Sequence, residues 1–393
     1  MKILFYSPHP TLYFDAPTGY GSHMRGMVKG YREEGHTVEI LVLGKKPQSE
    51  FTQTNSRSIK STLKKITPRI IWRTLKEIQQ IQFDKHAAKE LQEAVQTFNP
   101  DLVYERSAWM SNGSVEVLKP FKIKHIVEIN APFEEEVKEF ENASSFIAFV
   151  GKKKLKHLLQ SANLVAPITS SLQKHIVKNY DINPGQCLVV PNAIDKAEIQ
   201  ITDSRVEEIR KALDLTNKTV IGFVGSIFPY HGVDRLIQAV SNLNNSNVTL
   251  LIVGDGYLIP ELKELTQTLG ISSRVHFTGS VPKEDVYNYI TAMDVVTLPN
   301  TEWYCSPVKL FEYGALGKIV LAVNEAGVSD VMAESDGVLF ENNERDFQKA
   351  LDLAVSNLNE LKELAKAFQH KITANHTWSA NVRNILNQLH SLK

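Results

Sequence analysis

The sequence is short of cysteine, of net charge and of long apolar runs, and each shortage excludes something. Cys187 and Cys305 are the only cysteines in 393 residues. They stand far apart in sequence and make neither a metal spacing nor a disulfide framework, which fits a reducing compartment. No apolar run approaches the roughly 18 residues that a membrane-spanning helix needs, and the opening Met1 to Tyr6 run meets Pro8 too soon for a secretory signal. The expected location is therefore cytoplasmic. Lys plus Arg number 44 and so do Asp plus Glu, so no overall field favours nucleic acid or an acidic partner. No Asp-x-Asp pair occurs anywhere, and no metal site is expected.

What is present is a long globular chain, 42% apolar, of a length that suits two domains of about 150 to 200 residues. Lys2 to Tyr6 reads as a buried strand, and Ser7-Pro8-His9-Pro10 ends it. Gly19-Tyr20-Gly21 leads into a helix from about Ser22 to Glu34, stopped by Gly35 before a second strand from Thr37 to Leu43. The pair Gly19 and Gly21 invites a dinucleotide reading, but Met24 occupies the third glycine position and no acid ends the second strand. A nicotinamide enzyme is thus disfavoured, and Gly21 is read as a place where backbone approaches a ligand. Three further strand ends carry polar side chains: Glu105-Arg106, Glu128 to Asn130, and Thr169-Ser170. Ligands of open parallel sheets bind outside the carboxyl ends of the strands, which selects His9, Arg106, Glu128 and Asn130.

Charge is local. From Lys45 to Lys76 nine basic residues (Lys45, Lys46, Arg57, Lys60, Lys64, Lys65, Arg69, Arg73, Lys76) face one acid, Glu50. Ile71, Leu75 and Ile78 fall at helical spacing with Arg69, Arg73 and Lys76 directed elsewhere, which predicts a basic amphipathic helix whose apolar side packs inward or meets an anionic membrane. Lys152, Lys153, Lys154 and Lys156 form a second basic cluster.

A second βα series starts beyond Pro191. Strands Thr219 to Val224, Val248 to Val253, Val275 to Phe277, Val295 to Leu298 and Ile319 to Val323 end in Gly225-Ser226, Gly254-Asp255-Gly256, Thr278-Gly279, Pro299 and Asn324. Such alternation means an α/β chain with parallel sheets. Between the last two strands, Ser306 is a candidate N-cap, Pro307 suits the first helical turn, and Gly317 suits a left-handed stop. The N–H groups of Val308 and Lys309 at this helix mouth make an anion site, to which Lys309 adds a charge. Glu312 shares its face one turn on, placed to accept from a pair of ribose hydroxyls.

Five pieces together, Val190-Pro-Asn-Ala-Ile-Asp195, Phe223-Val-Gly-Ser226, Val253-Gly-Asp-Gly256, Val275-His-Phe-Thr-Gly279 and Ser306-Pro-Val-Lys-Leu-Phe-Glu-Tyr313, resemble the donor domain of family 4 glycosyltransferases. The resemblance covers nearly the whole chain. It implies a GT-B fold, two Rossmann-like domains facing across a cleft, with an acceptor-side domain over 1–190, a nucleotide-sugar domain over 191–374 and a C-terminal helix over 375–393 crossing back. It implies a retaining enzyme that moves a sugar from a nucleotide-diphosphate sugar, a co-substrate with no separate cofactor, to a glycan or lipid-linked acceptor. Lys309, Glu312 and His231 then serve catalysis. Gly21, Gly225, Ser226, Gly254, Thr278, Gly279, Tyr304, Ser306, Pro307, Val308 and Leu310 border the donor, and His9, Arg106, Glu128 and Asn130 border the acceptor.

The chain departs from the family at four positions, one of them the end of the fourth strand of the first domain, where Glu128-Ile129-Asn130 stands in place of the frequent histidine. Tyr304 stands where a donor-sugar glutamate is usual. Ser226 and His231 stand where an arginine and a lysine commonly flank the glycine turn. Those departures motivate an alternative, a non-catalytic GT-B partner subunit. The Tyr104-Glu-Arg106, Glu128-Ile-Asn-Ala-Pro132 and Ser306-Pro-Val-Lys309 variants resemble a subgroup of bacterial surface-polysaccharide transferases, which implies work at the inner face of the cell membrane, with peripheral contact through 45–76.

Overall fold

The computed structural model describes residues 1–46, 68–140 and 146–392. Its chain forms two compact units, Met1–Pro191 with Trp378–Lys393, and Asn192–Thr377. Each is built on one parallel sheet, because near-continuous apolar strands must be covered on both faces by helices.

In the first unit the elements follow as β1 (Lys2–Ser7), α1 (Gly19–Glu33), β2 (Thr37–Val42), α2 (Arg69–Phe98), β3 (Leu102–Arg106), α3 (Gly113–Leu118), β4 (Lys124–Ile129), α4 (Phe133–Phe140), α5 (Ala148–Ser161), β5 (Leu164–Pro167) and α6 (Ser170–Tyr180). The strand order is β2-β1-β3-β4-β5. Order reverses between β1 and β3, so the crevice at the switch point lies beside the ends of these two strands, one followed by His9 and the other ending in Arg106. Thr169 caps α6 by accepting from the N–H of Leu172. The acidic run Glu134 to Glu136 occupies the first turn of α4, where the helix dipole favours carboxylates.

The second unit runs α7 (Asp203–Ala212), β6 (Thr219–Val224), α8 (Val233–Ser241), β7 (Val248–Val253), α9 (Ile259–Thr268), β8 (Val275–Phe277), α10 (Val286–Thr291), β9 (Val295–Leu298), α11 (Val308–Ala315), β10 (Ile319–Val323), α12 (Ala326–Ser329), β11 (Val338–Phe340), α13 (Glu344–Ser356) and α14 (Leu358–Asn375). Its strands stand in the order β11-β10-β9-β6-β7-β8, the doubly wound arrangement whose switch point falls between β6 and β9. Two apolar layers cover the sheet. Ile221, Phe223, Leu250 and Ile252 pack under α8 and α13 on one face, and Val220, Leu251, Val296 and Val320 pack under α11 and α14 on the other.

The last helix, α15 (Trp378–Ser391), belongs to the first unit. It lies on α1, where Gly26 and Gly30 make room for Trp378: a Cβ at Gly26 would overlap the indole ring. The His23 ring meets the same indole edge-on at 5.0 Å.

One expectation is reversed. In the basic stretch, residues 47–67 lie outside the described ones. Beyond them α2 buries Arg73 and Glu77 and turns Ile71, Leu75 and Ile78 outward, so the inward side of this helix turn is the charged one. The cause is a set of polar partners beneath it. Arg73 Nε donates to Glu77 at 3.1 Å, Trp109 Nε1 donates to the same carboxylate at 2.8 Å, and Lys154 Nζ reaches Asp84 at 2.8 Å. Lys154 therefore leaves the exposed lysine cluster. Lys156 stands 3.7 Å from Asp181. Among the described residues no helix is long and apolar enough to cross a membrane.

Candidate functional site

In the second unit the site forms around the glycine that ends β6. Gly225 has φ +135° and Gly254 φ +130°, values that exclude a side chain, and a Cβ at Gly254 would collide with the Gly225 carbonyl. Backbone bonds stitch these turns together: Gly225 N donates to Val253 O at 2.9 Å, Gly254 N to Gly279 O at 2.9 Å, and Ile227 N to Asp255 O at 2.9 Å. Gly279 also has positive φ, with open space where its Cβ would be. Thr278 Oγ1 donates to the neighbouring Gly279 carbonyl at 2.8 Å, and Ser226 is exposed.

Helix α11 delivers the charged groups. Val224 N donates to Tyr313 OH at 3.0 Å, which fixes the helix to the end of β6. Lys309 lies across Gly225, so that a Cβ there would overlap its Cε. Its Nζ stands 4.4 Å from the centre of the Phe223 ring and 3.2 Å from His231 Nε2. Burial lowers the Lys309 pKa to about 8, with Glu312 and Cys305 acting the other way. Burial likewise raises Glu312 to about 7 against the pull of Lys309. The Glu312 carboxylate accepts no side-chain hydrogen bond among the described residues, although the Tyr287 phenol, pushed up by burial and by Glu312, lies within its field.

Three expected roles change with this geometry. His231 is not a second cation: burial, and then Lys309, lower its pKa to about 3 against the weaker pull of the Ser226 backbone, so Nε2 of a neutral ring accepts from the ammonium. Ser306 is not the cap. The helix starts at Val308 with Pro307 in the cap position and no side-chain cap bond. Ser306 is buried instead, its Oγ accepting from Asn192 N at 3.0 Å and its carbonyl from Asn192 Nδ2 at 2.5 Å. Leu310 has no free donor, since its N–H reaches Pro307 O at 3.0 Å and its side chain is core. The mouth is thus left to the N–H groups of Val308 and Lys309. Tyr304 is buried against Trp303, ring centres 5.4 Å apart.

The first unit carries its own buried group. Glu128, at the end of β4, accepts from four side chains: His23 Nε2 at 2.7 Å and Tyr104 OH at 2.5 Å on one oxygen, Arg106 Nη1 at 2.6 Å and Asn130 Nδ2 at 2.6 Å on the other. Burial alone would raise this carboxyl. His23 and Arg106, with the hydrogen bonds of His23 and Tyr104, outweigh burial and hold it well below the usual carboxylate range. Glu128 is consequently no acceptor contact, and it orients Arg106 and Asn130 instead. His9 Nδ1 accepts from the N–H groups of Thr11 and Leu12, both at 3.2 Å, which leaves the proton on Nε2. Burial and Arg106 lower its pKa to about 4. At Gly21 the space a side chain would fill is taken by the carbonyl of Ala16, so the close approach there is internal.

Sequence reasoning quoted Tyr104 and Asn192 inside motifs without giving them a role, and missed His23 and Tyr287. His23 carries a signal, a histidine on the inward face of a helix after the first strand. Among the described residues no group of three or more His, Cys, Asp and Glu could hold a metal ion.

Two family models match the chain side by side, glycosyltransferase family 4 over residues 17–198 and glycosyl transferases group 1 over residues 205–371. An uncharacterized glycosyltransferase, MJ1069, of Methanocaldococcus jannaschii is 23% identical over 295 residues, 72% of this chain and 73% of that protein. A putative teichuronic acid biosynthesis glycosyltransferase, TuaC, of Bacillus subtilis is 27% identical over 244 residues, 62% of this chain and 58% of its own length. Among solved structures, Anabaena Alr3699/HepE in complex with UDP superposes with a TM-score of 0.74 at 16% identity, each chain covered in full.

Proposed function

The chain belongs to the family 4, group 1 glycosyltransferases, and we propose that it moves a sugar, with retention of configuration, from a nucleotide-diphosphate sugar to a glycan or lipid-linked acceptor. The observation that carries this reading is Lys309 laid across Gly225 at the switch point of the second sheet, with Glu312 one turn further along the same helix, its carboxylate accepting no side-chain hydrogen bond among the described residues. A diphosphate would meet the Lys309 ammonium and the N–H groups of Val308 and Lys309. Ribose hydroxyls would donate to Glu312.

As the bond to the sugar breaks, negative charge grows on the terminal phosphate. Lys309 and the helix mouth are preorganised to receive it, which favours the transition state over the bound donor. His231 serves by accepting from Lys309 at 3.2 Å and so aiming the ammonium. No bridging metal and no separate cofactor enter the proposal. UDP in the Anabaena neighbour and the name of the B. subtilis relative support a nucleotide-sugar donor and a role in cell-surface polysaccharide synthesis. The same reading places the chain in the cytoplasm, peripheral on the inner face of the membrane.

The test is transfer by the purified chain from a panel of nucleotide sugars to lipid-linked and free glycan acceptors without added metal, with the product anomer read by NMR. Transfer with the donor's anomeric configuration is the expected result. Inversion would contradict retention. Nucleotide binding without hydrolysis or transfer would favour the partner-subunit alternative, for which the buried aromatic Tyr304 is the motive.

A further inference from the structure

The turn after β6 carries aromatic rings that the donor site does not use. Phe228 and Tyr230, on either side of Pro229, are stacked with ring centres 5.6 Å apart and planes 12° apart. The Tyr230 ring lies 4.4 Å from that of His231, which accepts from Lys309. A series of ring contacts thus leads outward from the diphosphate mouth and ends at Phe228, 41% exposed. Stacking on Tyr230 fixes the Phe228 ring before a ligand arrives, so little side-chain freedom is lost on binding.

Phe228 lines a cavity of about 260 Å³ together with Pro229 and Val233 at the start of α8 and with Leu258, Leu262 and Leu265 along α9. The turns that bear the two helices are joined by backbone. Ile227 N donates to Asp255 O at 2.9 Å, and a Cβ at Gly256 would overlap the Ile227 carbonyl. Two carboxylates complete the lining, Asp234 in the first turn of α8 and Glu261 in the first turn of α9. Neither takes a side-chain hydrogen bond or an ion pair among the described residues. The cations that neighbour them in sequence are engaged elsewhere: Arg235 lies 2.7 Å from Glu344, and Lys263 Nζ stands 5.9 Å over the Phe277 ring.

An apolar lining, one rigid aromatic ring and two acceptors without donors define the ligand. It must present an apolar face and hydroxyl donors together, and it must not be an anion. A pyranose ring does so, with C–H groups on its faces and hydroxyls at its rim. The volume is below the roughly 300 to 1,000 Å³ of sites for drug-sized molecules and suits a single ring. A lipid tail would leave both carboxylates unanswered, and a phosphate or uronate would be repelled by them.

We propose that the groove between Phe228, Asp234 and Glu261 is a glycan subsite of the second unit, which holds one uncharged pyranose residue of a sugar chain. That this chain is the acceptor or the product rests on the proposed function. Binding of sugar by the groove is read without donor, so either claim can fail alone.

The experiment is saturation-transfer NMR of the full chain with millimolar neutral oligosaccharides of glucose, galactose, mannose and N-acetylglucosamine, and with oligogalacturonate, in the absence of nucleotide. At least one neutral sugar should receive saturation at its ring C–H protons, and oligogalacturonate should receive none. Phe228→Ala and the double variant Asp234→Asn/Glu261→Gln should each weaken that binding by about tenfold. Thermal unfolding checks that the variants fold, and the double variant carries the test if Phe228→Ala does not. The double variant should keep its thermal shift with nucleoside diphosphates, whereas Glu312→Ala should lose that shift and keep the sugar. No transfer to any neutral sugar, equal transfer to oligogalacturonate, or unchanged affinity in the double variant would overturn the proposal. So would a wild-type dimer in sedimentation that the double variant turns into a monomer, since a second copy would then fill the groove.

Discussion

Glu128 and Glu312 are both carboxylates near the switch point of a parallel sheet, one in each unit, and they differ in what meets them. Glu128 takes four side-chain donors and is held far below its ordinary pKa. Glu312 takes none among the described residues, and burial lifts it to about 7. A saturated carboxylate has finished its chemistry inside the protein and positions its neighbours. An unpartnered one in a half-buried site costs the empty protein stability, and this cost is recovered when a ligand brings donors.

The comparison is broken most forcefully at Glu128. Replacing it by Gln leaves Arg106 without its counter-charge and takes one acceptor oxygen from the side chains around it, and removing one partner of a buried pair typically costs about 3 to 5 kcal/mol. Chemical denaturation should show a loss of that size. A change below about 1 kcal/mol would mean that Glu128 is not the hub of the first unit. Next is Lys309→Ala, which removes one charge-assisted contact of roughly 1.5 to 3 kcal/mol and should lower turnover about ten- to a hundredfold. An unchanged rate would remove Lys309 from the transition state.

Glu312→Gln should act in the opposite direction on stability. The folded pKa of about 7 lies above the ordinary value of 4.5, so the stability that Glu312 supplies below pH 4.5 is lost as pH rises through 7. At pH 8 the variant should therefore be more stable than wild type by up to about 3 kcal/mol, and at pH 4 the two should unfold alike. A destabilised variant at pH 8 would show that a partner had been present. The smallest effect is in pH dependence. Nucleotide affinity should peak between about pH 7 and 8, because Glu312 must be ionised to accept from ribose and Lys309, at about 8 when the site is empty, must be charged to hold phosphate. Above pH 8 affinity should fall toward about tenfold per pH unit, and calorimetry in two buffers would detect the proton taken up. A flat profile from pH 6 to 9 would contradict both assignments.

Much of the architecture could be read before any coordinates, because strands of apolar residues ending in glycine or polar side chains declare a parallel sheet and its carboxyl edge. Lys309 and Glu312 were legible for the same reason, being three apart on one short helix whose start and stop carry local signals. What was not legible depends on partners distant in the chain. Ser306 reads as a cap locally, and Asn192, 114 residues away, claims it. Glu128 reads as a free carboxylate until His23, 105 residues earlier, arrives beside it. His231 reads as a catalytic group of open protonation until Lys309, 78 residues on, takes up its ring nitrogen. The stripe of α2 was correct in period and reversed in direction, because periodicity alone cannot say which face finds Trp109 and Lys154.

The most direct test of the central claim is a thermal-shift measurement at pH 7.5, without metal, of wild type and Glu312→Ala against a panel of nucleoside diphosphates. A ligand at about 100 times its dissociation constant adds about 2.7 kcal/mol, which raises the melting temperature visibly. The account predicts a shift for wild type with at least one nucleotide and its loss in Glu312→Ala, whose own melting temperature without ligand should be no lower than that of wild type. An equal shift in the two proteins would contradict it, because the unpartnered carboxylate would then not be the group that holds the nucleotide.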